Sequence, residues 1–330
     1  MLDGLPLPRV RLLAGPTPVH CLRENLWVKR EDCAGTGPYG GNKIRKLEWL
    51  LGRVQAAGGD ILTTGPAGSH HVLATSVYAR SVGMRVRVVL WPERDSPRVR
   101  ETLRAIHAAA DDVRVAASIV GVLPVWSRQY AAMRIFGGFP PATLPAGGSD
   151  PDGCLGWVAG GMEIAAQVDA GAMPAPARVY VPVGTGGTAA GLWIGLALGG
   201  LRTELVGVDV GGARIGAREV TFAAEAMVRL LAARVARRLA SWGIGRATPG
   251  PLRIVRRPGY GVATSEIDEA MHAGTALGLP MEPTYTAKAL SVALAEAGGL
   301  YVHTANGHPM GPLLTSALTD VPDSLRSLLL

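Results

Sequence analysis

Apolar residues along this chain follow two alternating rhythms. Short runs such as Leu26-Trp27-Val28-Lys29, Asp60-Ile61-Leu62-Thr63, Val86-Arg87-Val88-Val89-Leu90-Trp91 and Asp112-Val113-Arg114-Val115 have the length and β-branched content of buried strands. Between them, residues 44–57, 71–82 and 97–109 space their apolar positions as helices do. A Gly/Pro-rich stretch from Gly137 to Gly153 interrupts the pattern, which then resumes as a helix over 156–170, a strand over 178–183, a helix over 188–198 and a strand over 204–209. Strands joined through helices predict parallel, doubly wound sheets, because a parallel pair needs a long crossover. The chain therefore reads as α/β, with two doubly wound units and a boundary near residues 145–155. No internal repeat or low-complexity tract is evident.

Composition allows two cores, since 48% of the 330 residues are hydrophobic and only 18% are charged. The apolar and glycine run from Ala189 to Leu201 falls short of the roughly 18 residues of a membrane span. Met1-Leu2-Asp3-Gly4 opens no basic-then-apolar leader, so the expectation is a cytoplasmic protein without a membrane partner. Cys21, Cys33 and Cys154 are odd in number and share no close spacing; they read as reduced thiols, with no disulfide framework and no metal site. A net charge of +7 invites nucleic acid, yet the arginines are scattered and aromatics make up 5%. The densest cluster, Arg229, Arg234, Arg237 and Arg238, lies in a segment of helical period from Glu219 to Trp242, where a solvated face gives the same pattern. No nucleic-acid partner is expected.

Only four of the 33 basic residues are lysines: Lys29, Lys43, Lys46 and Lys288. Arginine supplies charge as well as lysine but stays protonated, whereas a lysine amine can lose its proton and attack a carbonyl. Lys43 stands apart, with Gly40-Gly41-Asn42 before it and a helical pattern after it. A second glycine-rich turn, Gly184-Thr185-Gly186-Gly187-Thr188, links the strand over 178–183 to the following helix. Backbone N–H groups at such a helix start form a phosphate cradle, to which Thr185 and Thr188 add hydroxyls. The turn lacks the lysine of a Walker loop and matches a dinucleotide fingerprint only loosely. An amine nucleophile and a phosphate cradle are together what pyridoxal phosphate requires, for its aldehyde and its phosphate respectively.

Lys29-Arg30-Glu31-Asp32 followed by Gly40-Gly41-Asn42-Lys43-Ile44-Arg45-Lys46-Leu47-Glu48 resembles the signature of the 1-aminocyclopropane-1-carboxylate deaminase and D-cysteine desulfhydrase family. That family has the tryptophan-synthase β-like fold of type II pyridoxal-phosphate enzymes. The similarity continues through Gly15-Pro16-Thr17-Pro18, Ser69-His70-His71, the loop 184–188, Gly259-Tyr260-Gly261, Pro283-Thr284-Tyr285-Thr286-Ala287-Lys288 and His303-Thr304. It implies a large cofactor domain from residues 1–45 and 155–330, with a small domain over 46–154. It further implies that Lys43 carries the cofactor as a Schiff base, that Asn42 meets its phenolic oxygen, and that Gly184, Thr185, Gly186, Gly187 and Thr188 hold its phosphate. Ser69, with His70 and His71, would receive the substrate carboxylate, while Tyr260 and Tyr285 would line the substrate side. Thr304, or second Thr286, would face the pyridine nitrogen. Lys46 and Lys288 are expected to support structure or balance charge.

Deaminases of this family carry a glutamate after the tyrosine of the Pro-x-Tyr motif, where desulfhydrase-like members have threonine. Thr286 and His303-Thr304 place this chain on the desulfhydrase side. Two departures stand out: Gly68-Ser69-His70 replaces the family's Gln-Ser-Asn, and Ala305-Asn306 replaces two glycines. The expected activity is α,β-elimination from a small amino acid, D-configured substrates included, by a homodimer. Cyclopropane ring opening, β-replacement, racemisation or a specialised biosynthetic step are the alternatives on the same cofactor. A silent cofactor- or ligand-binding protein is the alternative outside catalysis.

Overall fold

The computed structural model describes the chain apart from residues 1, 138–139, 212, 216–217, 221–222, 246, 258, 260–261, 263 and 315–319. β1 (Val19–Arg23) and β2 (Leu26–Arg30) form an antiparallel pair. The chain continues through α1 (Lys43–Ala57), β3 (Ile61–Pro66), α2 (His70–Ser81), β4 (Val86–Trp91), α3 (Pro97–Ala109), β5 (Asp112–Val115), α4 (Val122–Phe136) and β6 (Ala142–Leu144). These last four strands make a parallel sheet in the order β5-β4-β3-β6. After it come α5 (Pro151–Asp169), β7 (Arg178–Val183), α6 (Gly187–Leu198), β8 (Glu204–Asp209) and a short hairpin, β9 (Ala213–Ile215) with β10 (Arg218–Val220). α7 (Ala224–Ala240), β11 (Leu252–Arg256), α8 (Ser265–Ala276), α9 (Thr286–Ala295) and β12 (Gly299–His303) complete the order. The larger sheet runs β1-β2-β12-β7-β8-β11 and is parallel except for β1. Both units are thus α/β with parallel sheets, as the alternation predicts.

Boundaries move where caps outweigh periodicity. α5 starts at Pro151, five residues before its apolar pattern, because Asp150 accepts the Gly153 N–H at 2.7 Å and proline fills the first turn. The sequence reading assigns no element to β1, α4, β6, the hairpin, β11, α8, α9 or β12. All of these strands are three to five residues long, which leaves little of a period to read.

α1 joins the two units. Leu47, Leu50, Leu51 and Val54 are fully buried in the cluster around the four-stranded sheet, each worth about 1.5–3 kcal/mol. Trp49, also on α1, enters the cluster of α5, α6 and the larger sheet. The α1–α5 approach is so close that a Cβ on Gly156 would lie 1.8 Å from the Arg45 carbonyl oxygen. At the other end of the chain, Val321, Leu325 and Leu328 pack into the cluster of the smaller sheet, and Glu93 N–H donates to the Leu328 oxygen at 2.9 Å. The C-terminal segment therefore packs with the small unit, whereas the sequence reading groups all of 155–330 with the large one.

Candidate active site

The signature around Lys43 builds a buried ionic network behind it. Arg45 donates to both oxygens of Glu31, at 2.6 and 2.8 Å, and to both of Glu163, at 3.0 and 2.9 Å. Lys29 donates to the Glu163 carboxylate, to the Thr17 carbonyl at 2.7 Å and to Gln167 Oε1 at 2.8 Å. Two cations thus meet two carboxylates, with the remaining lone pairs taken by hydroxyl and amide groups, as burial of charge requires. The network ties β2, α1 and α5 together and fixes where α1 begins. Asn306 Oδ1 accepts the Gly40 N–H at 2.8 Å and anchors the turn before the lysine.

Lys43 is the first residue of α1, half-buried, with its ammonium donating to Asn42 Oδ1 at 3.1 Å. Burial, and then the nearby charge of Lys46, push its pKa down to about 7, against the opposing pull of Glu282. An amine in this setting is unprotonated in a large fraction of molecules at neutral pH.

One helical turn further along α1 lies Lys46, which the fold brings close to the glycine loop. From sequence its expected role is in structure or charge balance. In the fold, residues three apart on α1 share a face, and Lys46 Nζ donates to the Gly147 oxygen at 2.9 Å and to Ser149 Oγ at 3.3 Å. A Cβ added to Gly187 would meet Ser149 Oγ at 2.4 Å and Lys46 Nζ at 2.8 Å. Among the described residues no carboxylate forms an ion pair with this buried ammonium. Gly186, at φ 79°, caps the N-terminus of α6, and Thr185 Oγ1 lies 2.6 Å from Ser149 Oγ. Glycine suits this cap because an L side chain at that φ is strained. Lysine, hydroxyls and helix N-terminus converge on one small space.

Ser69 caps α2, its Oγ accepting the Val72 N–H at 3.3 Å. His70 and His71 then diverge. His70 lines a cavity, while His71 packs inward with Nε2 3.4 Å from Thr63 Oγ1, and burial with the charges of Lys43 and Lys46 drives its pKa down to about 3. The ring of Tyr285 lies against the start of the loop, 3.2 Å from where a Gly184 Cβ would be. Tyr260 lies outside the described residues.

Thr286 is buried and its hydroxyl is committed, donating to the Glu282 carbonyl at 2.9 Å and accepting the Glu282 N–H at 2.8 Å. Glu282 itself, absent from the sequence reading, is a buried carboxylate that accepts the N–H groups of Thr284, Tyr285 and Thr286. Thr304 follows β12 directly and is half-buried. Lys288 is fully buried, donating to the carbonyls of Val210, Arg257 and Gly259 at 2.8, 3.0 and 2.7 Å. It pins the segment leading to residue 260.

Residues 10–302 match the pyridoxal-phosphate dependent enzyme family. The chain is 37% identical to a nocardicin C-9' epimerase of Nocardia uniformis subsp. tsuyamanensis, over 62% of this chain and 64% of that protein, so the match spans less than two thirds of the relative. It is 29% identical to a D-cysteine desulfhydrase of Salmonella paratyphi A, over 86% of this chain and 87% of the relative. A solved structure described as an ACC deaminase homologue superposes with a TM-score of 0.76 at 28% identity, covering 92% of this chain and 93% of its own. By motif, fold and extent of match, the chain belongs to the pyridoxal-phosphate dependent enzymes of fold type II, of the ACC deaminase and D-cysteine desulfhydrase type.

Proposed function

We propose that this chain removes the α-proton of a small amino acid and expels a β-substituent, after which the resulting imine takes up water and splits into a 2-oxo acid and ammonia. The observation that carries the reading is an amine depressed to about pKa 7 beside a cradle for a phosphate. The residues fit pyridoxal phosphate: a buried ammonium with no ion-paired carboxylate among the described residues and a helix N-terminus leave a positive field where an anion would sit. Gly184 to Thr188, Lys46 and Ser149 would hold the phosphate, Lys43 would attach the aldehyde, and Asn42 would meet the phenolic oxygen. When bound, the cofactor supplies a carbonyl for amines and a ring that accepts the electron pair left by the α-proton. Lys43 would also be the base for the α-proton, and its neutral form near pH 7 suits that role. The β-group leaves with its bonding pair. Ser69 retains a hydroxyl proton to give the substrate carboxylate, and the Tyr285 ring lies against the loop at Gly184. Thr304 is the hydroxyl left for the pyridine nitrogen, since Thr286 is committed to Glu282. A hydroxyl supports charge there less than a carboxylate does, which favours loss of a good leaving group over cyclopropane opening.

Epimerisation at Cα is a second reading, favoured by the 37% identity to the epimerase. Both readings share α-proton removal and diverge at the next step. Incubating the loaded protein with D- and L-amino acids in D2O separates them: elimination releases 2-oxo acid and ammonia, whereas epimerisation returns inverted, α-deuterated amino acid. Faster turnover of 1-aminocyclopropane-1-carboxylate than of D-cysteine or β-chloro-D-alanine would overturn the elimination preference. No exchange and no 2-oxo acid across the panel would overturn both readings.

A further inference from the structure

A cavity of about 240 Å3 opens beside α2 and α3, with His70, Arg98, Glu101, Met281, Asn306 and His308 among its lining residues. His70 belongs to the segment assigned to the substrate carboxylate, yet the hydrogen-bond pattern shows that it cannot serve an anion. Arg98 approaches His70 Nε2 from Nη2 at 2.9 Å and from Nε at 3.3 Å. A guanidinium has donors only, so Nε2 must present its lone pair, and the ring proton sits on Nδ1. There Tyr39 Oη lies at 2.7 Å and accepts it. Both ring nitrogens are therefore engaged. Burial, with the charges of Arg98 and Lys43, keeps the ring neutral, its pKa well below 6.5. The positive charge of this corner belongs to Arg98.

Arg98 is exposed, and among the described residues no carboxylate forms an ion pair with it, although its charge also acts on the Glu93 carboxylate, which accepts the Gly68 N–H at 2.7 Å. Glu101, one turn further on α3, lines the same cavity without pairing to it. A guanidinium held by a neutral acceptor keeps its full charge and spare donors for a planar anion, whereas one held by a carboxylate would not. Glu101 adds a negative charge to the lining that would oppose a second anion.

We propose that Arg98, aimed by the neutral acceptor His70, binds a carboxylate on the side chain of the substrate, so that the preferred amino acids are those bearing a second carboxylate. This rests on the reading that the site takes an amino acid, with Ser69 and the N-terminus of α2 serving the α-carboxylate. It makes Arg98 a specificity-determining residue and His70 its positioning residue.

Equilibrium binding of unreactive acids to the loaded protein tests this without turnover. Glutarate is expected to bind the parent about tenfold more tightly than butyrate, the equivalent of one hydrogen bond to a charged group. Arg98→Met should erase that preference, and Glu101→Gln should enlarge it by weakening the repulsion. Equal affinities in the parent, or equal weakening of both acids by Arg98→Met, would overturn the proposal. So would a Glu101→Gln variant with the preference of the parent. If glutarate is preferred and responds to both substitutions while no amino acid is turned over, the carboxylate site stands and the catalytic reading fails.

Discussion

Replacing Lys43 by methionine should stabilise the cofactor-free protein at neutral pH. The folded amine titrates near 7 instead of 10.5, because burial and Lys46 disfavour its charge. At pH 7 the unfolded chain holds this proton fully and the folded chain only about half the time, a difference of about 4 kcal/mol against the folded state. The side chain is half-buried, so solvent screening reduces this to about 2 kcal/mol. The sign is set by the direction of the shift. A lysine with a lowered folded pKa burdens the fold fully below about pH 7, and the burden fades as pH rises toward 10.5. Methionine keeps the apolar stem and removes the charge. Urea unfolding of the stripped parent and Lys43→Met at pH 7 and pH 10 reads both the gain and its decline. A variant no more stable than the parent at pH 7, or a gain that does not shrink by pH 10, would refute the reasoning.

Lys46→Met should lower affinity for pyridoxal phosphate by about 10- to 100-fold, the equivalent of 1.5–3 kcal/mol for a lost charged hydrogen bond. Borohydride should still fix the cofactor to Lys43 in that variant, and wild-type affinity would remove Lys46 from the phosphate site. Arg45→Met leaves Glu31, itself 0% exposed, without its cation and should cost about 3–5 kcal/mol. A loss under about 1 kcal/mol by urea unfolding would contradict the network. His70, His71 and His303 are held neutral by burial, His303 with a pKa of about 4 and His71 of about 3. Their lowered folded values mean that stability is full above the ordinary 6.5 and falls as pH drops below it, by up to about 1.4 kcal/mol per pH unit for each ring. His71→Gln should reduce that slope by about one proton between pH 6 and pH 4.5; an identical slope would count against the buried neutral state.

Local chemistry in the sequence was enough for much of this molecule. The strands over 86–91, 112–115, 178–183 and 204–209 and the helix over 97–109 fall where the apolar pattern places them, because their periods arise from the backbone geometry itself. The glycine turn at 184–188 and the lysine after Gly40-Gly41-Asn42 were legible for the same reason: a turn or helix start is specified by adjacent residues. Ser149 was not, since it reaches the cradle from 103 residues beyond Lys46. Charge states were equally hidden. His70 looks like a titratable partner for a carboxylate in the sequence, and becomes a neutral acceptor only when Tyr39 and Arg98 close on its two nitrogens. Thr286 and Thr304 look alike until Glu282 engages the first. Periodicity and capping are encoded over a few residues, but desolvation and hydrogen-bond partners are supplied by segments distant in the chain, and those are what decide pKa and which atoms remain free to act.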